Sequence, residues 1–249
     1  MKLITMTTGE VEDYLKHSPG VILPVGSLEQ HGPIGLIGTD ALCAERIATL
    51  VGGTVDAIVA PTLCYTPAQF NMSFSGTVSV AAKVFLSYFE AIIKSFGEQG
   101  FQRVYVLNAH GANLAPMQAA MHDIYSEMGI KAPLLRIKSW WDFDEVNALR
   151  TELYGEREGL HATPSEVAIT QYTDRIVKNE LPSAYRAVSS QFIRDHSGDK
   201  HDPAVLHRAH FPDGQVGSDS ALATPEHGEL LLKAAAESVA KDYLAFVHA

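Results

Sequence analysis

Short runs of β-branched and aliphatic residues alternate along this chain with longer amphipathic stretches. Val21–Val25 is a continuous apolar run closed by Gly26 and predicts a buried strand. Ala57–Leu63 predicts a second strand, Arg103–Leu107 a third with a Val-Tyr-Val-Leu core, and Leu134–Ile137 a fourth. Between them the period lengthens. Asp40–Leu50 predicts a helix with Asp40 as its N-cap, Leu42, Ile47 and Leu50 on its apolar face, and Gly52-Gly53 as its stop. Ser79–Phe96 predicts a long amphipathic helix ended by Gly97 and Gly100, and Asn113–Met128 another ended by Gly129. Asp142–Tyr154 and Ser165–Tyr172 also read as helical, and Pro225–Phe246 as a long closing helix. Such alternation implies an α/β fold with a mostly parallel sheet covered by helices. No internal repeat or Pro- or Ser-rich linker divides the chain, so residues 1–249 read as one domain. Ser183–Ser220 mixes a short apolar piece with Gly, Asp, Pro and His, and reads as a long loop or a subunit contact.

Composition narrows the partners. Hydrophobic residues make up 46% of the 249 positions and charged residues 19%, which suits a globular fold and not a disordered one. A formal net charge of −10 argues against nucleic acid or an anionic membrane as partner, since both need a basic footprint. With only Cys43 and Cys64, a disulfide scaffold is excluded and a reducing compartment is expected. The first ten residues hold no apolar secretory core, and no apolar run nears the roughly 20 residues of a membrane span. The expected location is cytoplasmic.

In an open parallel sheet, ligands sit outside the carboxyl ends of the strands, so the polar residues there carry the candidate chemistry. After the first strand comes Gly26-Ser27-Leu28-Glu29-Gln30-His31-Gly32-Pro33. In an extended segment Glu29 and His31 share a face. Asp40 follows at a predicted helix start. The plainer alternative is a solvated loop followed by a simple cap. His110 stands just after the third strand between small residues, where a ligand can approach closely. Further on, Pro164 suits a first helical turn, which puts Ser165 and Glu166 in it and His161 just before it. Glu166 there would otherwise only offset the helix dipole, with His161 a surface residue. Together Glu29, His31, Asp40, His110 and Glu166 form a donor set suited to Zn, Mn or Fe(II), without the thiolates of a structural zinc site. A bridging carboxylate would give two ions roughly 3.5–4 Å apart.

The run Pro24-Val25-Gly26-Ser27-Leu28-Glu29-Gln30-His31-Gly32-Pro33, with Gly38-Thr39-Asp40, closely resembles the opening motif of the creatininase (creatinine amidohydrolase) family. Ser73–Ser79, Asn108-Ala109-His110-Gly111-Ala112-Asn113, His161–Glu166 and Gly214–Leu232 resemble its later motifs, in order. The resemblance implies a three-layer α/β/α sandwich with a mostly parallel sheet, assembled as a homo-oligomer, often a hexamer, with a two-metal hydrolytic centre. It implies that Glu29, Asp40 and His110 hold one divalent ion and that His31 and the bridging Asp40 hold the second. The family carboxylate for that second ion falls at Ala112 here, and Glu166 is the best replacement. His161 matches a histidine that moves protons. Other departures concern the substrate. Phe70-Asn71 stands where the family usually carries Glu-His, and Ser75 replaces a proline. Thr163 replaces a glycine, Leu160 a carboxylate and Arg157 a lid tryptophan, all of which point away from creatinine itself.

The function expected is a metal-dependent amidohydrolase that cleaves a C–N bond of a small cyclic amide or formamide. Two cations would bring the pKa of a shared water from ~15.7 towards ~7, ready to attack the amide carbon. His161 and Glu166 are the candidate catalytic residues. Asn71, Ser73, Trp140 and Trp141 are the candidate substrate-pocket residues, although paired tryptophans also suit a core. The competing readings are a catalytically inactive metal-binding subunit or sensor of the same fold, and a peptide-trimming member. His196, His201, His207 and His210 could form another metal site or a solvated intersubunit loop, and their irregular spacing favours the loop. A dinucleotide-binding reading finds no Gly-x-Gly-x-x-Gly after a strand.

Overall fold

The computed structural model describes residues 1–178, 184–196 and 201–249. Four parallel strands form one sheet in the order β2-β1-β3-β4: β1 is Gly20–Val25, β2 Ile58–Val59, β3 Arg103–Asn108 and β4 Leu134–Ser139. The register pairs Ile22 with Tyr105, and Tyr105 with Arg136. Every residue of β1 is buried, as expected of a parallel strand covered on both faces.

The two faces carry separate cores. Val21, Leu23, Val25, Val104 and Val106 pack on Phe85, Phe89 and Ile93 of α3 (Ala82–Glu98) and on Met117, Ala120 and Ile124 of α4 (Leu114–Met128). Ile22, Tyr105 and Leu107 face the other way. They meet α2 (Thr39–Thr54), α5 (Asp144–Tyr154), α6 (Pro164–Thr173) and α9 (Pro225–Val247). Neighbouring residues of one strand point to opposite faces, so a single apolar run feeds both cores. The result is the three-layer α/β/α arrangement.

Several boundaries differ from the sequence reading for physical reasons. The second strand shrinks from Ala57–Leu63 to two residues, because Pro61 has no N–H to give to the ladder; Leu63 rejoins β1 as an isolated bridge to Val25. Gly52-Gly53 does not stop α2, which runs on to Thr54. A Cβ on Gly52 would lie 2.4 Å from the Val59 side chain, so this glycine lets the helix approach β2. Asp40 is not the N-cap: Gly38 is, and Asp40 sits inside the first turn with its carboxylate free for other work. Asn113 lies in a 3-10 turn before α4 and donates to the Gly26 carbonyl at 3.0 Å. A helix absent from the sequence reading, α1 (Thr8–Leu15), is started by a reciprocal Thr7–Glu10 capping box. The Ser183–Ser220 stretch contains α7 (Ser190–Asp195) and α8 (Ala204–His210), while Ser183 lies outside the described residues.

Candidate metal centre

All four strands run the same way, so the segments leaving β1, β3 and β4 emerge at one rim. The loop after β1 carries Glu29 and His31 back across the start of α2. Gly26 allows this crossing, since a Cβ there would stand 2.4 Å from the Ala41 nitrogen. His110 leaves the end of β3, and α6 brings Glu166 in its first turn.

These five side chains converge. His110 Nδ1 lies 3.1 Å from both Glu29 Oε1 and Asp40 Oδ2. His31 Nε2 lies 2.9 Å from Asp40 Oδ1 and 3.7 Å from Glu166 Oε1. The donor atoms of Glu29, Asp40 and His110 form one compact triad, and those of His31, Asp40 and Glu166 a second, with Asp40 common to both. His161 joins from the side, its Nδ1 3.6 Å from Glu29 Oε1. All of these residues are buried.

The far nitrogen of each ring explains what the near one can do. His31 Nδ1 is 3.1 Å from the Glu29 carbonyl, His110 Nε2 2.8 Å from the Pro67 carbonyl and His161 Nε2 2.8 Å from the Gln30 carbonyl. A carbonyl only accepts, so each of these nitrogens carries the proton. In the neutral rings the facing nitrogens then hold lone pairs, pointed at carboxylate oxygens. Glu29 Oε1 accordingly is buried with no hydrogen-bond donor, while Oε2 accepts from Asn71 Nδ2 at 2.9 Å. Lone pairs facing carboxylates repel unless positive charge lies between them. Backbone anchoring of the outer nitrogen is how proteins orient metal-ligating imidazoles. The cluster therefore fits divalent cations.

The electrostatics agree. Burial alone would lower His31, yet the Asp40 and Glu166 carboxylates raise it to about 10. His110 is likewise driven well above its ordinary value against burial, chiefly by Glu29 and Asp40. Asp40 is held far below the carboxylate range, because His31 and His110 outweigh its burial. Burial raises Glu166 to about 7, with His31 opposing. His161 falls well below its usual value, first from burial and then from the His31 charge. Three carboxylates and two imidazoles thus draw in protons where cations could sit.

Further contacts hold the ligands in place. Ser27 Oγ donates to Asp40 Oδ2 at 2.7 Å. Glu166 Oε1 accepts from the Thr163 backbone N–H at 2.6 Å, completing a capping box, so Glu166 starts α6 and also faces His31. Ala162, between His161 and Thr163, has φ 54°, a left-handed conformation uncommon outside glycine. Gln30 Nε2 bridges Asn71 Oδ1 at 2.8 Å and the Gly214 carbonyl at 3.0 Å.

A cavity of about 290 Å³ opens onto the cluster. Trp140 and Trp141 line it, together with Phe70, Arg150, Leu160 and His201. Asn71 is buried behind Glu29. Ser73 is not among the lining residues, and its carbonyl instead accepts from Arg208. Gln30, Arg150 and Thr163 were not read as candidate pocket or site residues from the sequence. Gln30 carried a signal, since it lies between Glu29 and His31, and so did Thr163, between His161 and Glu166. Among the described residues His196, His201, His207 and His210 form no metal-sized group. They build an aromatic cluster instead, in which His201 stacks on Phe70 at 3.7 Å and His207 packs edge-on at 5.3 Å.

Residues 5–243 match the creatininase family model, described as creatinine amidohydrolase. The chain belongs to the creatininase family. Among curated relatives, it is 29% identical over 138 residues to 3-dehydro-scyllo-inosose hydrolase of Thermotoga maritima, covering 55% of this chain and 44% of that one. It is 34% identical over 116 residues to the mycofactocin precursor peptide peptidase of Mycolicibacterium smegmatis, covering 41% of this chain and 44% of the relative. In both, the match spans less than half of the relative's own length. A crystal structure of creatinine amidohydrolase (creatininase) superposes with a TM-score of 0.79 at 23% identity, covering 98% of this chain and 97% of that one, which shows a creatininase fold. Among the described residues no helix is long and apolar enough to cross a membrane.

Proposed function

We propose that this chain is a metal-dependent amidohydrolase cleaving a C–N bond of a small molecule. The observation that carries the reading is the pair of donor triads sharing Asp40 beside a cavity of about 290 Å³. Glu29, Asp40 and His110 would hold one divalent cation, and His31, Asp40 and Glu166 the other. Imidazole and carboxylate donors suit Zn, Mn or Fe(II). Bound there, such cations supply Lewis-acid polarisation of a carbonyl and acidify water towards neutrality. Glu166 takes the place that the Ala112 position leaves empty of a carboxylate.

The chain's own groups do the rest. His161 is neutral, with Nε2 tied to the Gln30 carbonyl and Nδ1 turned to the cluster. Its Nδ1 takes a proton from the attacking water and delivers it to the leaving nitrogen. Hydroxide adds to the amide carbon, the C–N bond breaks, and the amine leaves neutral. Asn71 fixes Glu29 through Oε2 and leaves Oε1 for the cluster. Phe70, Trp140 and Trp141 keep bulk water off the reacting centre. The peptidase among the two curated relatives widens the substrate panel to peptide amides.

The test is hydrolysis of small lactams, formamides and short peptides by protein loaded with Zn, Mn or Fe(II). Glu29→Gln removes one ligand oxygen charge. A drop in kcat/KM of at least roughly 100-fold is expected, because even groups that only orient ligands are worth 10–100-fold. Full activity in that variant would overturn the scheme. Two bound ions with no turnover across the panel would favour the inactive metal-binding alternative.

A further inference from the structure

Beside the carboxylate-rich cluster the cavity carries one permanent cation: Arg150 is the only Lys or Arg among the described lining residues. Its guanidinium is held firmly. Nε donates to Glu158 Oε1 at 2.9 Å, Nη1 donates to Asn147 Oδ1 at 2.8 Å, and the carbon of the group lies 5.5 Å from the Trp140 ring centre. Glu158 is buried and is also held by the Ser165 hydroxyl, in the same helix turn as Glu166. Nη2 has no acceptor among the described residues, and the buried Trp140 indole N–H beside it has none either.

A guanidinium clamped on Nε and one Nη, lying over an aromatic ring and half-buried, is a preorganised fork for a carboxylate. Leu160 and Trp141 supply apolar wall around it. We propose that Arg150 determines specificity by binding a carboxylate on the substrate, away from the scissile C–N bond. The substrate class is then an amide of an amino acid or another carboxylate-bearing amide, and a neutral lactam is selected against. Glu158 acts as a positioning residue for the fork. This inference rests on the amidohydrolase reading for the identity of the reacting bond, but not for the binding itself.

Both tryptophans of the chain line this cavity, so intrinsic fluorescence reports its occupancy without turnover. The metal-loaded protein is titrated with N-formylglycine, N-formyl-β-alanine and N-formyl-γ-aminobutyrate, and with their carboxamide-capped counterparts. The three chain lengths vary the spacing between the formamide and the carboxylate. At least one acid is expected to bind about 10- to 100-fold more tightly than its amide, the range for hydrogen bonds to a charged partner. Arg150→Met is expected to bring that ratio close to one. Arg150→Lys keeps the charge without the planar fork and falls between, and it decides the matter should Arg150→Met not fold. Equal binding of acids and amides by the wild type overturns the proposal. So does a wild-type ratio in the variants, which would place the carboxylate on the cations instead. Absence of hydrolysis of any probe overturns the amidohydrolase reading and leaves the binding ratio intact.

Discussion

A methyl group at Gly26 would stand 2.4 Å from the backbone nitrogen of Ala41, while one at Gly53 would meet nothing within 4 Å. The two glycines make opposite demands. Gly26→Ala pushes the start of α2 off the loop that leads to Glu29 and His31, and Asp40 sits one residue from that contact. A loss of about 3 kcal/mol in denaturant unfolding is expected, the upper range for overpacking, with weakened metal binding. Gly53→Ala replaces an exposed glycine within α2 and is expected to stabilise by about 0.5–1 kcal/mol. The sequence placed Gly26 in a motif but could not show its contact, because Ala41 meets it only once α2 has folded back. Gly52-Gly53 was misread for the same reason. A glycine pair looks like a stop until β2 is seen against Gly52.

Among the elements, α8 depends most directly on pH. His207 buries its ring against Phe70 and Phe211, and its Nε2 has no hydrogen-bond partner among the described residues. Burial lowers it to about 4, helped by the charge of nearby His201, while Asp202 opposes and His196 and His210 add to the effect. The unfolded chain binds this proton near pH 6.5, and the folded one only near 4. The contribution of His207 to folding is thus complete above about 6.5 and is lost as pH falls through 4. Protection of the amides over residues 204–210, corrected for the intrinsic exchange rate at each pH, is expected to fall between pH 6.5 and 4.5, and His207→Leu to flatten that fall. If the wild type is equally protected at both values, α8 is not held by a neutral His207. In the sequence these histidines were visible as a group, but their stacking on Phe70 was not, since it joins residues far apart in the chain. The opposite holds for α6, whose Pro164 start and Glu166 position could be read locally. There the dipole-offset reading and the ligand reading both proved compatible with one carboxylate.

For the molecule as a whole, the cluster ties the loop after β1 to α2, β3 and α6, so ion binding stabilises the fold across its layers. At about 100 times the dissociation constant, a single ion contributes about 2.7 kcal/mol. In a chain of this size that corresponds to a rise in Tm of roughly 5–10 °C. Chelation followed by titration with Zn or Mn is expected to show this rise, and its absence in Glu29→Gln would tie it to the cluster. A Tm indifferent to metal in the wild type would count against a metal centre here.

The alternation of apolar runs and amphipathic stretches was enough for the α/β class, the parallel sheet and the helices α2 to α6 and α9, because periodicity and burial act over a few residues at a time. The motif around Glu29 and His31, with Asp40 and His110, exposed the donor set for the same reason: each piece is local and sits at a strand end. Which oxygen faces which nitrogen is a different matter. That depended on three backbone carbonyls fixing ring tautomers, one local, Glu29 on His31, and two from far along the chain, Pro67 on His110 and Gln30 on His161. The Arg150 fork and the removal of Ser73 from the cavity likewise arose from packing between segments that share no sequence neighbourhood. Short-range pattern could announce the chemistry, but only the folded chain could aim it.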